Sequence, residues 1–228
     1  MFGSSNRIIN QSKMQSRGTL IEFEGLDRSG KSTQCEKLVD ALKGKKMDAE
    51  LWKYPNRESI SGKLINEYLS NKTDLNDNAM HFLFSKNRCE NVEEMKRKIY
   101  SGCNLVIDRY AYSGVAYSAA KEGMDFEWCK KCDEGLPKPD IVYFMDTSSD
   151  VSMIRARSGF GAERYEDIDF QNLVYENFTK FFPENNSESS NFFVINASDT
   201  VGDLHERILI KTLEVIENSK HKDLKNLW

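Results

Sequence analysis

The chain lacks several features that would place it in a membrane, secreted or multidomain class. Among its 228 residues, no apolar run reaches the roughly 18 residues that span a bilayer, and no charged start leads into an apolar signal segment. It has four prolines and thirteen glycines, and no stretch is rich enough in Pro, Gly or Ser to form a linker. We therefore expect one globular domain over residues 17–228 in a cytoplasmic protein, with a nuclear or organellar copy left open.

An excess of basic charge is also missing. The 32 Lys and Arg residues are outnumbered by 36 Asp and Glu, which argues against a general nucleic-acid binder. The five cysteines are odd in number and scattered, which favours reduced thiols over a disulfide framework. Cys129 and Cys132 form a C-x-x-C pair, so a metal or redox role is the alternative, but one pair supplies only half of a tetrahedral zinc site.

Five apolar, β-prone runs are separated by segments with helical spacing, and this alternation predicts a parallel sheet. The runs cover residues 19–23, 49–54, 104–107, 141–145 and 192–195. They are continuously apolar rather than alternating, as expected for strands that helices cover on both faces. The sequence therefore predicts an α/β, doubly wound fold.

Three helical segments bear on the later argument. The first follows residue 32 and is expected to end at Gly44 in a left-handed conformation. The second is predicted as one helix over residues 76–100 that stops before Gly102, and the third is a closing amphipathic helix around residues 204–216. The polar opening up to Ser16 is predicted as a disordered extension, with a transit peptide or a start at Met14 as alternatives.

The strongest chemical signal is a glycine-rich loop between a predicted strand and a predicted helix. Residues 25–32, with Gly25, Gly30, Lys31 and Ser32 at the motif positions, satisfy G-x-x-x-x-G-K-[ST]. Glycines let backbone N–H groups turn toward a polyphosphate, and the helix N-terminus adds positive partial charge. Lys31 would neutralise phosphate oxygens and Ser32 would help to hold Mg²⁺, with Thr33 in support. The alternative is a flexible turn with an incidental lysine.

Two further patterns suit a nucleotide site. Asp108 and Arg109 follow an apolar strand, where ligands collect in open α/β sheets; the carboxylate can reach a hydrated Mg²⁺ and the guanidinium a phosphate oxygen. A strand-end salt bridge is the alternative. Phe84 and Arg88 are four residues apart on one helix face and can hold a nucleobase, although such an aromatic is also a common core residue.

A basic, glycine-containing stretch lies within residues 153–168. Its composition suits a mobile lid that closes over phosphates, with a solvated basic loop as the alternative. The arginines of this predicted lid are Arg155, Arg157 and Arg164.

Taken together, these segments resemble thymidylate kinases of the eukaryotic and poxviral kind, from about Gly18 to Trp228. Six blocks in family order carry the resemblance. They are FEGLDRSGKSTQ at 23–34, YPNR at 54–57, LFSKNR at 83–88, DRYAYSGVAY at 108–117, GLPKPD at 135–140 and GAERYE at 161–166.

The resemblance implies the nucleoside monophosphate kinase fold, with a five-stranded parallel sheet and a lid, in a homodimer. It implies transfer of the γ-phosphoryl group of Mg·ATP to dTMP, giving dTDP and ADP for dTTP biosynthesis. Phe84 would stack on thymine and Arg88 would bond the base edge. Arg57 and Arg109 would clamp the acceptor phosphate, and Tyr165 would disfavour ribose. The implied dTMP site comprises Asp27, Arg57, Phe84, Arg88, Arg109, Ser113, Gly114, Tyr117 and Tyr165.

The resemblance also assigns catalytic and ATP-binding residues. Arg28 matches the arginine that eukaryotic-type members carry in the loop, and Asp27 would face the acceptor sugar. The implied catalytic set is Asp27, Arg28, Lys31 and Arg109, and the implied metal residues are Ser32 and Asp108. The implied ATP site comprises Arg28, Ser29, Gly30, Lys31, Ser32 and Thr33, with Asn196, Ala197, Ser198 and Asp199 on the adenine side. Basic residues often seen near that side are replaced here by Asp199 and Leu209.

Two rival functions stay open at the level of sequence. One is a kinase for another monophosphate, such as dUMP or dGMP, which an acceptor panel distinguishes. The other is a catalytically silent nucleotide-binding switch, against which Arg28, Lys31, Asp108 and Arg109 are all present.

Overall fold

The computed structural model describes residues 16–147, 163–181, 191–196 and 199–228, so the predicted extension before Ser16 lies outside the described residues. Five parallel strands form one sheet in the order β2-β3-β1-β4-β5. The strands are β1 Leu20–Glu24, β2 Ala49–Lys53, β3 Asn104–Asp108, β4 Ile141–Asp146 and β5 Phe192–Asn196. Each end lies within one residue of its predicted position, so the predicted α/β sheet is confirmed.

Eight helices occur in the described part of the chain. They are α1 Lys31–Gly44, α2 Ile60–Leu69, α3 Asp77–Cys89, α4 Val92–Tyr100, α5 Ala111–Ala119, α6 Phe126–Lys131, α7 Ile168–Thr179 and α8 Val201–Ser219. The predicted closing helix corresponds to α8. None of these helices has the length and apolar character needed to cross a bilayer.

Two helix-boundary predictions were wrong. The segment 76–100 is two helices, because the chain breaks at Glu90 and Asn91; asparagine is a weak helix former, and Asn91 occupies the N-cap position of α4 without a side-chain capping bond. Gly44 is not the left-handed terminator of α1. The N–H of Lys45 still bonds the carbonyl oxygen of Ala41 at 3.2 Å, and the left-handed residue is Lys46, with a φ of 60°.

Alternate residues of the central strands enter two separate apolar layers. On one face, Leu20, Leu105 and Phe144 pack with residues of α4, α5 and α7. On the other, Phe23 and Tyr143 pack with residues of α1 and α8. Burial on both faces explains why the central strands β3 and β4 are almost continuously apolar in sequence.

The sheet order places the glycine-rich loop beside the end of β3. β1 and β3 are adjacent and parallel, and Phe23 lies opposite Asp108 in their register. The loop that follows β1 and the Asp108–Arg109 pair that follows β3 therefore meet at the carboxyl edge of the sheet, where open α/β sheets bind ligands.

Candidate active site

The glycine-rich loop is held in a conformation that requires glycine at two positions. Gly25 has a φ of 137°, and a side chain there would lie 2.7 Å from the carbonyl oxygen of Met145. Gly30 has a φ of 92° and directly precedes α1, while Arg28 between them is left-handed with a φ of 61°. The loop therefore brings its backbone around the N-terminus of α1, as an anion-binding loop requires.

Lys31 is buried beneath this loop. Its Nζ donates to the carbonyl oxygen of Leu26 at 2.5 Å and lies 3.1 Å from the Oγ of the buried Ser29. Burial, followed by the charge of Arg109, lowers the pKa of Lys31 to about 8. The amine is therefore still mainly protonated at neutral pH, and an incoming phosphate anion would raise its pKa further.

Ser32 and Asp108, the residues predicted to hold a metal ion, are in direct contact. The Oγ of Ser32 donates to Oδ2 of Asp108 at 2.5 Å, and Nζ of Lys53 lies 3.5 Å from the same oxygen. A hydroxyl and a carboxylate are the hard oxygen ligands that suit Mg²⁺. Within the described ranges there is no group of three or more His, Cys, Asp or Glu that could hold a metal. Ser32 and Asp108 supply two protein oxygen donors, which fits an ion whose other ligands are phosphate and water oxygens.

Asp27 and Arg109 form the centre of a polar cluster. Nη2 of Arg109 donates to Oδ1 of Asp27 at 2.5 Å, and its Nη1 donates to the carbonyl oxygen of Gly25 and to Oγ of Ser113, both at 3.0 Å. The Tyr117 hydroxyl donates to Oδ2 of Asp27 at 3.1 Å, and the Tyr117 ring lies 5.2 Å from the Arg109 guanidinium. Burial alone would raise the pKa of Asp27, but Arg109 and Lys31 outweigh it and lower that pKa.

Glu24 supports this cluster from below, a role that the sequence analysis missed. Its Oε1 accepts the backbone N–H groups of Tyr110 and Ser113 at 3.0 and 2.9 Å, and its Oε2 accepts the Ser113 hydroxyl. The carboxylate therefore fixes the start of α5, which carries Ser113 and Tyr117. The available signal was an acid at the end of a buried strand.

Phe84 and Arg88 also line the site. Phe84 packs against a small apolar cluster that includes Leu69 and Met80. Arg88 is 3 % exposed, and its guanidinium forms two bonds to the fully buried Asp133, Nε to Oδ1 at 3.1 Å and Nη2 to Oδ2 at 2.6 Å. Asp133 lies 45 residues away in sequence, and no local pattern identifies it.

Arg57 is oriented by neighbours from three parts of the chain. Its Nη2 contacts both carboxylate oxygens of Glu163 at 2.9 and 3.2 Å, and its Nη1 donates to Oδ1 of Asn66 at 2.8 Å. The side chain of Asn87 bonds both the backbone N–H and the carbonyl oxygen of Asn56, at 2.7 and 3.1 Å. Asn87, which the sequence analysis missed, therefore fixes the loop that carries Arg57.

The segment 163–166 brings the end of the predicted lid to the site. Oε1 of Glu166 lies 3.2 Å from Nη2 of Arg28, and the ring of Tyr165 stacks on that of Phe170 with centroids 5.1 Å apart. Arg155 and Arg157 lie outside the described residues.

Arg164 does not line the cavity, contrary to its predicted place over the phosphates. Its guanidinium lies 4.0 Å from the centre of the Tyr68 ring, and it bonds Asp74 at 2.9 Å and the carbonyl oxygen of Thr73 at 3.0 Å. An aromatic face, a carboxylate and a carbonyl oxygen therefore hold Arg164 against α2 and the turn that follows it.

A cavity of about 850 Å³ brings most of the predicted residues together. Its walls include Asp27, Arg28, Lys31, Ser32, Arg57, Phe84, Arg88, Asp108, Arg109, Ser113, Gly114, Tyr117 and Tyr165. Ser29, Gly30 and Thr33 belong to the loop and the first turn of α1 that border it. Asn196 and Asp199 are exposed away from the cavity, with Asp199 paired to Arg207 at 2.7 Å, and Ala197 and Ser198 lie outside the described residues.

Comparison with known proteins decides the family. A family model described as thymidylate kinase matches residues 23–208. The chain belongs to the thymidylate kinase family. It is therefore a phosphotransferase that uses ATP to convert dTMP to dTDP in dTTP synthesis, as the sequence analysis predicted.

Individual thymidylate kinases support this membership. The chain is 45 % identical to a thymidylate kinase of Schizosaccharomyces pombe over 195 residues, which cover 86 % of this chain and 91 % of the relative. It is 44 % identical to a putative thymidylate kinase of Invertebrate iridescent virus 6, covering 73 % and 77 % of the two chains. The solved thymidylate kinase of Candida albicans superposes with a TM-score of 0.78 at 34 % identity, covering 93 % of this chain and 99 % of that one.

Proposed function

We propose that the cavity's residues perform dTMP phosphorylation in two groups, one around the donor phosphates and one around the acceptor nucleotide. The observation that carries this proposal is the common cavity. Its wall contains both the phosphate loop with the buried Lys31 and the aromatic Phe84 with the buried Arg88. Its volume lies in the range of small-molecule sites.

On the donor side, the backbone of Ser29 and Gly30 and the side chain of Lys31 would bind the ATP phosphates, with Thr33 in support. Arg28 would stabilise charge that develops on the transferring phosphoryl group, because its guanidinium lies at the cavity wall next to the loop. The family resemblance alone supports a contact of Asn196 and Asp199 with the adenine, since neither residue lines the cavity.

We propose that Ser32 and Asp108 hold Mg²⁺ together with the nucleotide. The contact between their oxygens supports this assignment, because the two hard ligands already point at one place. Mg²⁺, when bound, supplies positive charge to the phosphate oxygens. Lys53, whose Nζ lies 3.5 Å from Oδ2 of Asp108, would add a further positive charge beside this site.

On the acceptor side, Arg57 and Arg109 would bind the phosphate of dTMP. An oxygen of that phosphate attacks, and it is already ionised near neutral pH, so the reaction needs no general base. The chain's task is to align this oxygen with the donor phosphate and to exclude water. Glu163 would release Arg57 when the phosphate arrives.

The nucleoside part of dTMP would occupy the part of the cavity lined by Phe84 and Arg88. Phe84 would stack on the base and Arg88 would donate to its edge. Asp27 and Tyr117 would face the sugar, and Tyr165 would lie against its 2′ position. Ser113 and Gly114 on α5 would border this part of the site, as their place in the cavity wall supports.

We also propose a homodimer of single-domain subunits spanning residues 17–228. Ile60, Leu64 and Phe82 on α2 and α3 are 90, 38 and 55 % exposed, and this apolar surface supports self-association. Light scattering on the purified protein tests the stoichiometry.

All five cysteines are free thiols, which supports a reducing, cytoplasmic location.

The test of the assignment is a comparison of kinetic constants. Phe84→Leu should raise KM for dTMP about tenfold and leave KM for ATP unchanged, because an aromatic stacking contact is worth about 1–3 kcal/mol. Tyr100→Leu makes the same kind of change at a half-exposed residue outside the cavity and should change neither constant. Equal effects of Phe84→Leu on both constants would contradict the proposed acceptor site.

A further inference from the structure

Arg88 is held on two sides by parts of the chain that do not belong to its own helix. On one side, the carboxylate of Asp133 takes two of its five N–H groups. On the other, a Cβ added at Gly114 would lie 2.5 Å from its Nη2 and 2.6 Å from its Nη1. Because real side-chain atoms do not approach so closely, the guanidinium lies directly against the backbone of α5.

Asp133 itself is rigidly placed. It lies just after α6, where its N–H donates to the carbonyl oxygen of Lys130 at 3.0 Å and its own carbonyl accepts from Leu136 at 3.2 Å. The Ser85 hydroxyl of α3 donates to the carbonyl oxygen of Cys132 at 2.7 Å. The helix that carries Arg88 is therefore tied to the turn that carries Asp133.

Asp133 differs from Arg88 in its access to the cavity. Arg88 is part of the cavity wall, whereas Asp133 is 0 % exposed and is not part of the wall. Asp133 therefore does not contact a ligand itself, and its two bonds to Arg88 connect it directly to a residue of the cavity wall. Burial opposes the charged form of Arg88, but Asp133 outweighs it and the pKa of Arg88 is raised, so the guanidinium stays a donor.

We propose that Asp133 is a positioning residue that sets base selectivity. It fixes the Arg88 guanidinium so that the remaining N–H groups face a carbonyl oxygen on the pyrimidine edge. A guanidinium has only donors, so it can donate to the 4-carbonyl oxygen of thymine or uracil but cannot pair with the 4-amino group of cytosine, which is itself a donor. This inference rests on the proposed contact of Arg88 with the base.

The experiment uses Asp133→Asn, which keeps the shape of the side chain and removes its charge. KM for dTMP should rise about tenfold, since a hydrogen bond to a charged group contributes roughly that factor. Turnover and KM for ATP should stay within about twofold. The preference for dTMP over dCMP, as a ratio of kcat/KM values, should fall.

The matched control is Asp140→Asn. Asp140 forms the same two-bond pair with a buried arginine, Arg17, at 2.8 and 2.7 Å, but it does not line the cavity. Asp140→Asn should lower the free energy of unfolding without changing KM for dTMP or the ratio of kcat/KM for dTMP to kcat/KM for dCMP. Equal kinetic effects of the two substitutions would reduce Asp133 to a general structural role and overturn the proposal.

Because Asp133→Asn leaves a buried arginine uncompensated, it can fail to fold. Asp133→Glu keeps the charge pair and shifts the carboxylate by one methylene, so its folded protein should still lose dTMP-to-dCMP preference. Unchanged selectivity in Asp133→Glu would contradict the proposal.

Arg88→Met separates this inference from the assignment beneath it. If Arg88→Met leaves KM for dTMP unchanged, the proposed base contact fails, and the positioning role of Asp133 fails with it. If Arg88→Met raises that KM but neither Asp133 variant does, only the positioning role is overturned.

Discussion

Oε1 of Glu166 lies 3.2 Å from Nη2 of Arg28, so a carboxylate from the segment before α7 contacts the arginine of the phosphate loop. The pair joins two parts of the chain that are 138 residues apart. Since a carboxylate and a phosphate offer a guanidinium the same kind of acceptor, the place of Arg28 at the cavity wall supports its proposed contact with phosphate oxygens.

Arg28→Ala should lower turnover about a hundredfold, the usual effect of removing one donor to charge that develops in a transition state. Affinity for ATP should change far less, because the loop backbone and Lys31 remain. Steady-state kinetics and ATP titration measure the two effects. Arg97→Ala, at an exposed helix position outside the cavity, is the control. Unchanged turnover would remove Arg28 from the mechanism.

Glu22 makes the fold less stable at neutral and higher pH. It is fully buried in β1, and neither carboxylate oxygen has a hydrogen-bond partner among the described residues. Burial, then the neighbouring carboxylate of Glu24, raises its pKa well above the ordinary value. The folded state therefore favours the protonated acid. Its stabilising effect is complete at low pH and is lost as the pH rises toward the folded-state pKa.

Glu22→Leu should therefore increase the free energy of unfolding by about 1–3 kcal/mol above neutral pH, in line with replacing a buried polar group that lacks partners. The gain should shrink as the pH falls toward 4.5, the ordinary pKa of glutamate. Chemical denaturation across this pH range measures it. Glu206→Leu, the same substitution at an exposed position of α8, is the matched control. A gain in the free energy of unfolding that is the same at every pH would contradict a raised pKa of Glu22.

The effect of His81 on the pH dependence of stability has the opposite sign to that of Glu22. It is fully buried between the Ser118 hydroxyl, 2.8 Å from Nδ1, and the carbonyl oxygen of Cys129, 3.0 Å from Nε2. Burial, then the charge of Arg88, lowers its pKa below 6.5, while Asp133 and the Cys129 carbonyl oppose this shift and Lys121 adds to it. The folded state holds the neutral ring, so stability is lost as the pH falls below about 6.5.

The free energy of unfolding should therefore decline more steeply between about pH 7.5 and 5.5 in the wild type than in His81→Gln, which cannot gain a proton. The comparison concerns the slope, so an overall loss of stability in the variant does not disturb it. Parallel pH profiles for the two proteins would show that His81 does not titrate in this range.

Local patterns were sufficient for much of the fold and for the phosphate loop. Strands β3 and β4 are almost continuously apolar because helices cover both of their faces. Strands β2 and β5 contain exposed residues, but their apolar runs still located them to within a residue. The break at Asn91 was missed because apolar periodicity continues across it from Met80 to Ile99. Gly44 was misassigned because the helix continues one residue beyond the point where glycine usually ends it.

The supporting residues of the site could not be found in the same way. Glu24, Asn87 and Asp133 act through partners that are 31 to 89 residues distant, and such pairs exist only once the chain is folded. Arg164 was placed over the phosphates by composition, yet the Tyr68 ring binds its guanidinium instead. A basic loop identifies available charges but not their partners.

The most direct test of dTMP phosphorylation is an acceptor panel. The purified protein is given Mg·ATP and, in turn, dTMP, dUMP, dCMP, dGMP, AMP and UMP, while ADP release is followed and the diphosphate product is identified. The proposed acceptor site predicts the highest kcat/KM for dTMP, the next highest for dUMP, and poor transfer to dCMP and to the ribonucleotides. Equal use of dTMP and dCMP, or ATP binding without transfer to any acceptor, would contradict it.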